Sequence, residues 1–228
     1  MAMQNIPLIS VLIVASRQIQ ANEPSLLDGE GDSYHISGLA WRRNYQKRLV
    51  DGDNANREVF SPCGAAAMYL REDFLAMGGF DEDYFSYFED VDLGFRMRLA
   101  GKKCLYVPDA VVHHVGSAST GKKSDFSVYY GYRNLVWTYF KNMPFPLFWL
   151  FLPVHIGTLL VISVYMTIRG QGLVIFRAFR DAIFGIPKML KKRKLIQQDI
   201  KISSRDLLRV MSTSLFEPYR EFAERNKG

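Results

Sequence analysis

Cysteine is scarce: Cys63 and Cys104 are the only two in 228 residues. That excludes a disulfide framework and makes a reducing compartment the default. No lysine or arginine precedes the apolar run Leu8 to Ala15, so the basic start of a secretory signal is missing. The run is short, β-branched and preceded by Pro7, and it reads as a buried parallel strand. Internal repeats and low-complexity stretches are absent. Basic residues interleaved with aromatics do not occur outside the C-terminal part, so a nucleic-acid role has little support.

Apolar residues make up 48% of the chain and aromatics 14%, with 16 Phe and 12 Tyr. Such aromatic enrichment fits either a large core or contact with a lipid interface. The formal net charge of +6 is concentrated in Lys188, Lys191, Lys192, Arg193 and Lys194. This run follows apolar segments, and a juxtamembrane position explains it better than nucleic acid does. Three regions separate by texture. Residues 1–140 alternate short apolar runs with Gly and Asp turns, as an α/β domain does. Residues 141–195 form a membrane-associated helical region, and residues 196–228 a polar helical tail.

Within the first region, Val59 to Leu70 reads as a loop entering a strand of small residues. Arg71 to Met77 reads as a short helix stopped by Gly78 and Gly79. Phe85, Phe88, Val91, Phe95 and Leu99 recur at three- and four-residue steps and predict one helix face, ended by Gly101. Cys104 to Val107 and Ala110 to Val115 read as two strands separated by Pro108-Asp109. Phe126 to Phe140 is a further helix carrying Arg133 and Asn134.

Three groups of residues carry chemical potential. Glu89, Asp90 and Asp92 crowd three carboxylates into four positions, which repel unless a cation, a proton or a substrate relieves them. On charge pattern alone, an acidic helix N-terminus favoured by the macrodipole, with one Asp as a cap, is the simpler reading. The flanking aromatics imply partial burial of at least one carboxyl, with the raised proton affinity that suits a general base. His113 and His114 are adjacent on a strand and face opposite ways. Only one can face a given site, as a hydrogen-bonded structural residue or as part of a mixed oxygen and nitrogen cation site. Ser61 to Ala67 is rich in small residues and permits either close approach of a ligand or tight strand packing. Cys63 has no visible partner for nucleophilic chemistry.

Taken in order, Phe60-Ser61-Pro62-Cys63-Gly64-Ala65-Ala66, Gly78-Gly79-Phe80-Asp81-Glu82, Phe88-Glu89-Asp90-Val91-Asp92-Leu93-Gly94-Phe95-Arg96 and His113-His114-Val115-Gly116-Ser117 resemble the C-terminal half of family 2 glycosyltransferases. The nearest likeness is to rhamnosyltransferase-like members acting on bacterial cell-surface polysaccharides. The resemblance implies an α/β, GT-A-like (Rossmann-like) mixed sheet, here incomplete, with C-terminal membrane-associated helices. It implies inverting transfer from a nucleotide-sugar donor to a lipid-linked or polysaccharide acceptor. Asp90 would be the base, with Glu89 and Asp92 positioning acceptor or metal. Cys63, Gly64, Ala65 and Arg96 would lie on the substrate side, and His114, more than His113, would bind a divalent cation, Mg2+ or Mn2+.

The family's nucleotide-binding half carries an Asp-x-Asp motif behind an apolar strand. Here the sequence passes from the first strand directly to the region beyond that motif, and Asp51-Gly52-Asp53 sits in a polar loop. The donor half is therefore expected to be missing, and a sheet so shortened would expose edges and apolar faces. Transfer by this chain alone is expected to be weak or absent unless a partner chain supplies that half. Leu147 to Ile168 is an uncharged run long enough to span about 30 Å of hydrocarbon. Leu173 to Leu190 mixes apolar and basic residues as an interfacial helix does. A single span would put the domain and the basic tail on opposite sides, against the positive-inside rule. A re-entrant or in-plane arrangement at the cytoplasmic face of the cell inner membrane avoids this. The alternative to an enzyme is a non-catalytic membrane-bound remnant or scaffold that binds the acceptor or a partner transferase.

Overall fold

The computed structural model describes residues 11–49, 55–116, 124–218 and 220. The start of the predicted first strand, Asp51-Gly52-Asp53 and Ser117 lie outside the described residues. The strands are β1 (Val11–Gln20), β2 (Glu23–Gly29), β3 (Asp32–Tyr34), β4 (Ala40–Arg42), β5 (Arg57–Val59), β6 (Ala67–Tyr69) and β7 (Lys103–His114). The helices are α1 (Arg71–Ala76), α2 (Glu89–Leu99), α3 (Asp125–Asn142), α4 (Phe145–Ile168), α5 (Gly172–Ile196) and α6 (Ser204–Val210).

A five-stranded mixed sheet runs β2-β1-β7-β5, with β6 also paired to β1. The parallel pair β1 and β7 is its centre; β2 and β6 run antiparallel to β1, and β5 antiparallel to β7. β3 and β4 form a separate antiparallel ribbon. The expected break at Pro108-Asp109 does not end the strand. Val107 and Val111 face consecutive residues of β1, Ser16 and Arg17, so a bulge absorbs the proline, whose missing N–H would otherwise interrupt the ladder.

Helix α2 is the hub of the core. Leu93 and Met97 pack on Ile13, Ala15, Val59, Cys104 and Tyr106 of the sheet. Val91, Phe95 and Leu99 face Tyr34, Ile36, Phe60, Tyr139 and Phe148. Every residue from Val91 to Leu99 is buried, so two apolar faces, not one stripe, position this helix. The predicted helical start at Phe85 is corrected to Glu89, because Phe85, Tyr87 and Phe88 have φ of 62°, 65° and 68°.

α3 and α5 lie side by side. The Trp137 indole N–H donates to the Ala182 carbonyl at 2.9 Å, and at Gly185 a Cβ would sit 2.5 Å from that indole. α4 turns Leu147, Phe148, His155, Ile162 and Met166 inward and leaves Leu160, Val164 and Ile168 largely exposed. It is the one described helix long and apolar enough, by length and composition, to cross a membrane. The described residues after α5 are packed onto the domain. Leu207 and Met211 join the core of Tyr34 and Phe95, and Ser212 N–H donates to Tyr34 O at 2.9 Å.

Candidate active site

Two glycines bring the small-residue loop onto the acidic helix. At Gly94 a Cβ would lie 2.3 Å from Ser61 Cβ, so only a residue without a side chain lets α2 approach there. One turn earlier, Asp90 Oδ2 accepts from Gly64 N–H at 2.7 Å, and a Cβ on Gly64 would crowd Asp90 at 3.1 Å. Asp90 Oδ1 accepts from Val91 N–H at 2.7 Å. These contacts fix the carboxyl at the N-terminus of α2, where the helix dipole favours a negative group.

Proton affinities within the acidic triplet diverge. Burial pushes the Asp90 carboxyl up, against the opposing pull of the Gly64 and Val91 amides and the Arg42 guanidinium. Burial, and then the neighbouring charge of Asp90, push Glu89 up to about 7. Glu89 Oε2 is buried and finds no hydrogen-bond partner among the described residues, and neither does Tyr69 Oη. Tyr69 is coupled to Asp90: burial first, then the Asp90 charge, raises its phenol.

Asp92 belongs to a different environment. It is fully buried and accepts from Arg96 Nε at 2.9 Å, Lys141 Nζ at 2.9 Å, Asn142 Nδ2 at 2.8 Å and Tyr84 Oη at 3.1 Å. Burial opposes its charge, but Lys141 and Arg96 overcome that and hold the carboxyl below the usual range. The expected positioning role for Asp92 is corrected accordingly, since both of its oxygens are taken by these internal donors. Arg96 is likewise turned inward, its guanidinium donating to Met77 O at 2.5 Å and Gly79 O at 2.7 Å. It braces the turn before α2 and is withdrawn from the substrate side.

That turn is also held from α5. Lys192 donates to Asp81 at 2.5 Å and Asp83 at 2.6 Å, and Lys188 to Asp83 at 2.5 Å. Arg193 donates to Phe140 O at 3.1 Å. Three members of the basic run are thus bound within the fold, while Lys191 and Lys194 are exposed.

The substrate-side expectation divides. Gly64 and Ala65 are exposed beside Asp90. Cys63 is buried, and burial, followed by the charge of Asp32, pushes its thiol up to about 12. It is no nucleophile at neutral pH.

His114 Nδ1 lies 2.7 Å from Asp28 Oδ2, the oxygen that also accepts from Arg42. His113 is exposed and, as the next residue on the strand, points to the opposite face. The histidine metal reading is corrected on this donor set. One histidine and one carboxylate meet, a guanidinium already neutralises that carboxylate, and no group of three His, Cys, Asp or Glu side chains converges among the described residues. These residues do not fit a divalent-metal site on their own.

Sequence reasoning missed Arg42, Asp28 and Tyr69. Arg42 links the two halves of the site: it is bonded to Asp28 and acts electrostatically on Cys63 and Asp90. It lies on β4 in no recognisable motif, and only the packing of β4 against Gly29 brings it to Asp28.

A family model described as glycosyl transferase family group 2 matches residues 32–179, spanning β3 to the first third of α5. The chain is similar to the N-acetylglucosaminyl-diphospho-decaprenol L-rhamnosyltransferase of Mycobacterium tuberculosis, 40% identical over 105 residues, which cover 43% of this chain and 33% of that protein. It is also similar to the rhamnosyltransferase WbbL of Escherichia coli, 41% identical over 66 residues, covering 28% and 24% of the two chains. The match thus spans a third or less of the length of these curated relatives. With the family model covering well over half of the sequence, the chain belongs to glycosyl transferase family group 2.

Proposed function

We propose that this chain is the acceptor-side part of an inverting glycosyltransferase in cell-surface glycan synthesis, with Asp90 as the base. The observation that carries the reading is the Glu89–Asp90 pair: two carboxyls of raised proton affinity beside two buried polar atoms without partners among the described residues and an exposed glycine loop. Asp90 takes the proton of the acceptor hydroxyl. The freed oxygen forms a bond to the anomeric carbon of the donor, and the bond to the nucleoside diphosphate breaks with its electron pair leaving on that group. Glu89, neutral over part of the range near pH 7, can donate a hydrogen bond to a sugar oxygen. Arg42 keeps Asp90 from becoming too weak an acid.

The relatives' names suggest a nucleotide-linked rhamnose donor and an N-acetylglucosaminyl diphosphate acceptor on a polyprenyl chain. The donor-binding half is proposed to come from a partner chain. A divalent cation, if one takes part, is proposed to be held chiefly by that half, because Asp28 and His114 alone do not fit it.

Seating at the cytoplasmic face of a membrane is part of the same proposal. Leu173, Phe176, Ile183 and Phe184 of α5 are largely exposed on the face that carries the exposed Arg177, Arg180, Lys191 and Lys194, the pattern of an interfacial helix. Leu207 and Met211 share a core with Tyr34 and Phe95. That supports an in-plane or re-entrant α4 over a crossing that would separate tail from domain.

The test is transfer to methyl N-acetylglucosaminide from a panel of nucleotide sugars, with the chain alone and with the donor-binding half of a relative added. Asp90→Asn is expected to lower turnover by about 10²–10⁴-fold while binding of the glycoside persists. Unchanged turnover in Asp90→Asn rejects the reading.

A further inference from the structure

The segment leading into Glu89 is held in a conformation that aromatic residues seldom adopt. Phe85, with φ 62° and ψ −54°, and Tyr87 and Phe88, with φ of 65° and 68°, all occupy the positive-φ side, where a Cβ clashes with the backbone. Such backbone persists only where its surroundings over-determine it, and here they do. The fully buried Asn134 amide donates to the carbonyls of Tyr84 at 3.0 Å, Ser86 at 2.8 Å and Tyr87 at 2.7 Å. Arg133 donates to Asp83 O at 2.9 Å and Tyr84 O at 3.0 Å.

This scaffold does not bury the aromatic it constrains. Phe85 is 73% exposed and Phe126 37% exposed. Their rings join Tyr130 and Tyr87 in one cluster: Phe85 to Tyr130 5.3 Å, Phe126 to Tyr130 4.7 Å, Tyr87 to Phe126 6.2 Å. The Arg133 guanidinium backs Tyr130 at 4.7 Å. The result is an aromatic surface in which Tyr87 stands two residues before Glu89 and three before Asp90.

The geometry points to this cluster as a platform that stacks a sugar ring of the acceptor, built from Phe85, Tyr87, Phe126 and Tyr130 and positioned by Arg133 and Asn134. A pyranose offers an apolar C–H face to aromatic rings and leaves its hydroxyls for polar groups, and Glu89 and Asp90 follow Tyr87 by two and three residues. A platform locked in advance loses little freedom on binding. The inference rests on the acceptor-side reading above and adds to it the element that orients the acceptor.

The experiment is saturation-transfer NMR between the full chain in detergent micelles and the same soluble glycoside. Phe85→Ala and Phe126→Ala are both surface truncations. Each is expected to weaken binding roughly fivefold, the scale of one aromatic contact, with Phe85→Trp restoring it. Saturation of the sugar ring protons should fall in step. Binding unchanged in the Phe85→Ala, Phe126→Ala double variant overturns the platform, and so does wild-type protein that transfers no saturation to the glycoside. If these variants instead lose only their partition to phosphatidylglycerol vesicles, the cluster is a membrane contact and the platform falls. If they lose glycoside binding while Asp90→Asn transfers sugar normally, the platform stands and the assignment of Asp90 fails.

Discussion

Asp90 and Asp92 stand two residues apart on one helix and live in opposite electrostatic worlds. Asp92 is surrounded by Arg96, Lys141, Asn142 and Tyr84, so its charge is matched inside the protein. Asp90 has two backbone amides and a more distant guanidinium, and Glu89 beside it has an oxygen without a partner among the described residues. Helix geometry separates them: a step of two residues turns about 200° around the axis, so one carboxylate enters the core and the other meets the Gly64 loop. The same residue type therefore serves structure in one place and reactivity in the other. What distinguishes them is the count of cations and donors at hydrogen-bond distance.

The comparison predicts unequal responses to substitution. Lys141→Met takes one of two cations from the buried Asp92 carboxylate, leaving Arg96, and should cost about 1.5–3 kcal/mol, the scale of a hydrogen bond to a charged group, measured by urea unfolding. Because the folded Asp92 carboxyl is held below its unfolded value, its stabilisation is fully present above about pH 4. It is lost as pH falls through the folded value, and Asp92→Asn should flatten that acid limb. A loss from Lys141→Met no larger than that of a surface variant would erase the contrast.

Glu89 should behave with the opposite sign. Its carboxyl is raised to about 7, so the folded state holds a proton that the unfolded chain has released, and stability falls as pH rises from about 4.5 to 7. Glu89→Gln removes this slope. It should stabilise the fold above pH 7 by about 2 kcal/mol, at roughly 1.4 kcal/mol per pH unit discounted for partial exposure, while transfer by the complemented enzyme decreases. Stabilisation at acid pH instead would contradict the assignment.

The smallest effect belongs to the α5 clamp. Lys188→Ala removes a solvent-exposed pair with Asp83 and should cost below about 1 kcal/mol. The loss should shrink further in high salt, as thermal melts at two ionic strengths would register. Lys192, which bridges Asp81 and Asp83, should cost somewhat more.

Much of this was legible in the residues. The order of motifs from Phe60 to Gly116 pointed to the family, and the aromatics around Glu89 and Asp90 implied buried carboxyls of raised proton affinity. Gly64 was placed in the loop beside the site. Other readings were lost for physical reasons. Arg96 and Asp92 sit in the motif as conspicuously as Asp90, but which face of α2 meets cations from α3 depends on packing. Lys188, Lys192 and Arg193 look like a juxtamembrane run, and only the fold lays α5 against the Asp81–Asp83 turn.

The amino-acid order by itself marked α1, α3 and most of α2, the small-residue loop around Gly64 and the acidic triplet, because each depends on local periodicity or on the absence of a side chain. Tertiary structure alone decided which carboxylates are neutralised, that Arg42 reaches from β4 to Asp28, and that Leu207 and Met211 close the core. Those outcomes depend on distances between residues far apart in the chain, and electrostatic energy and burial are functions of such distances.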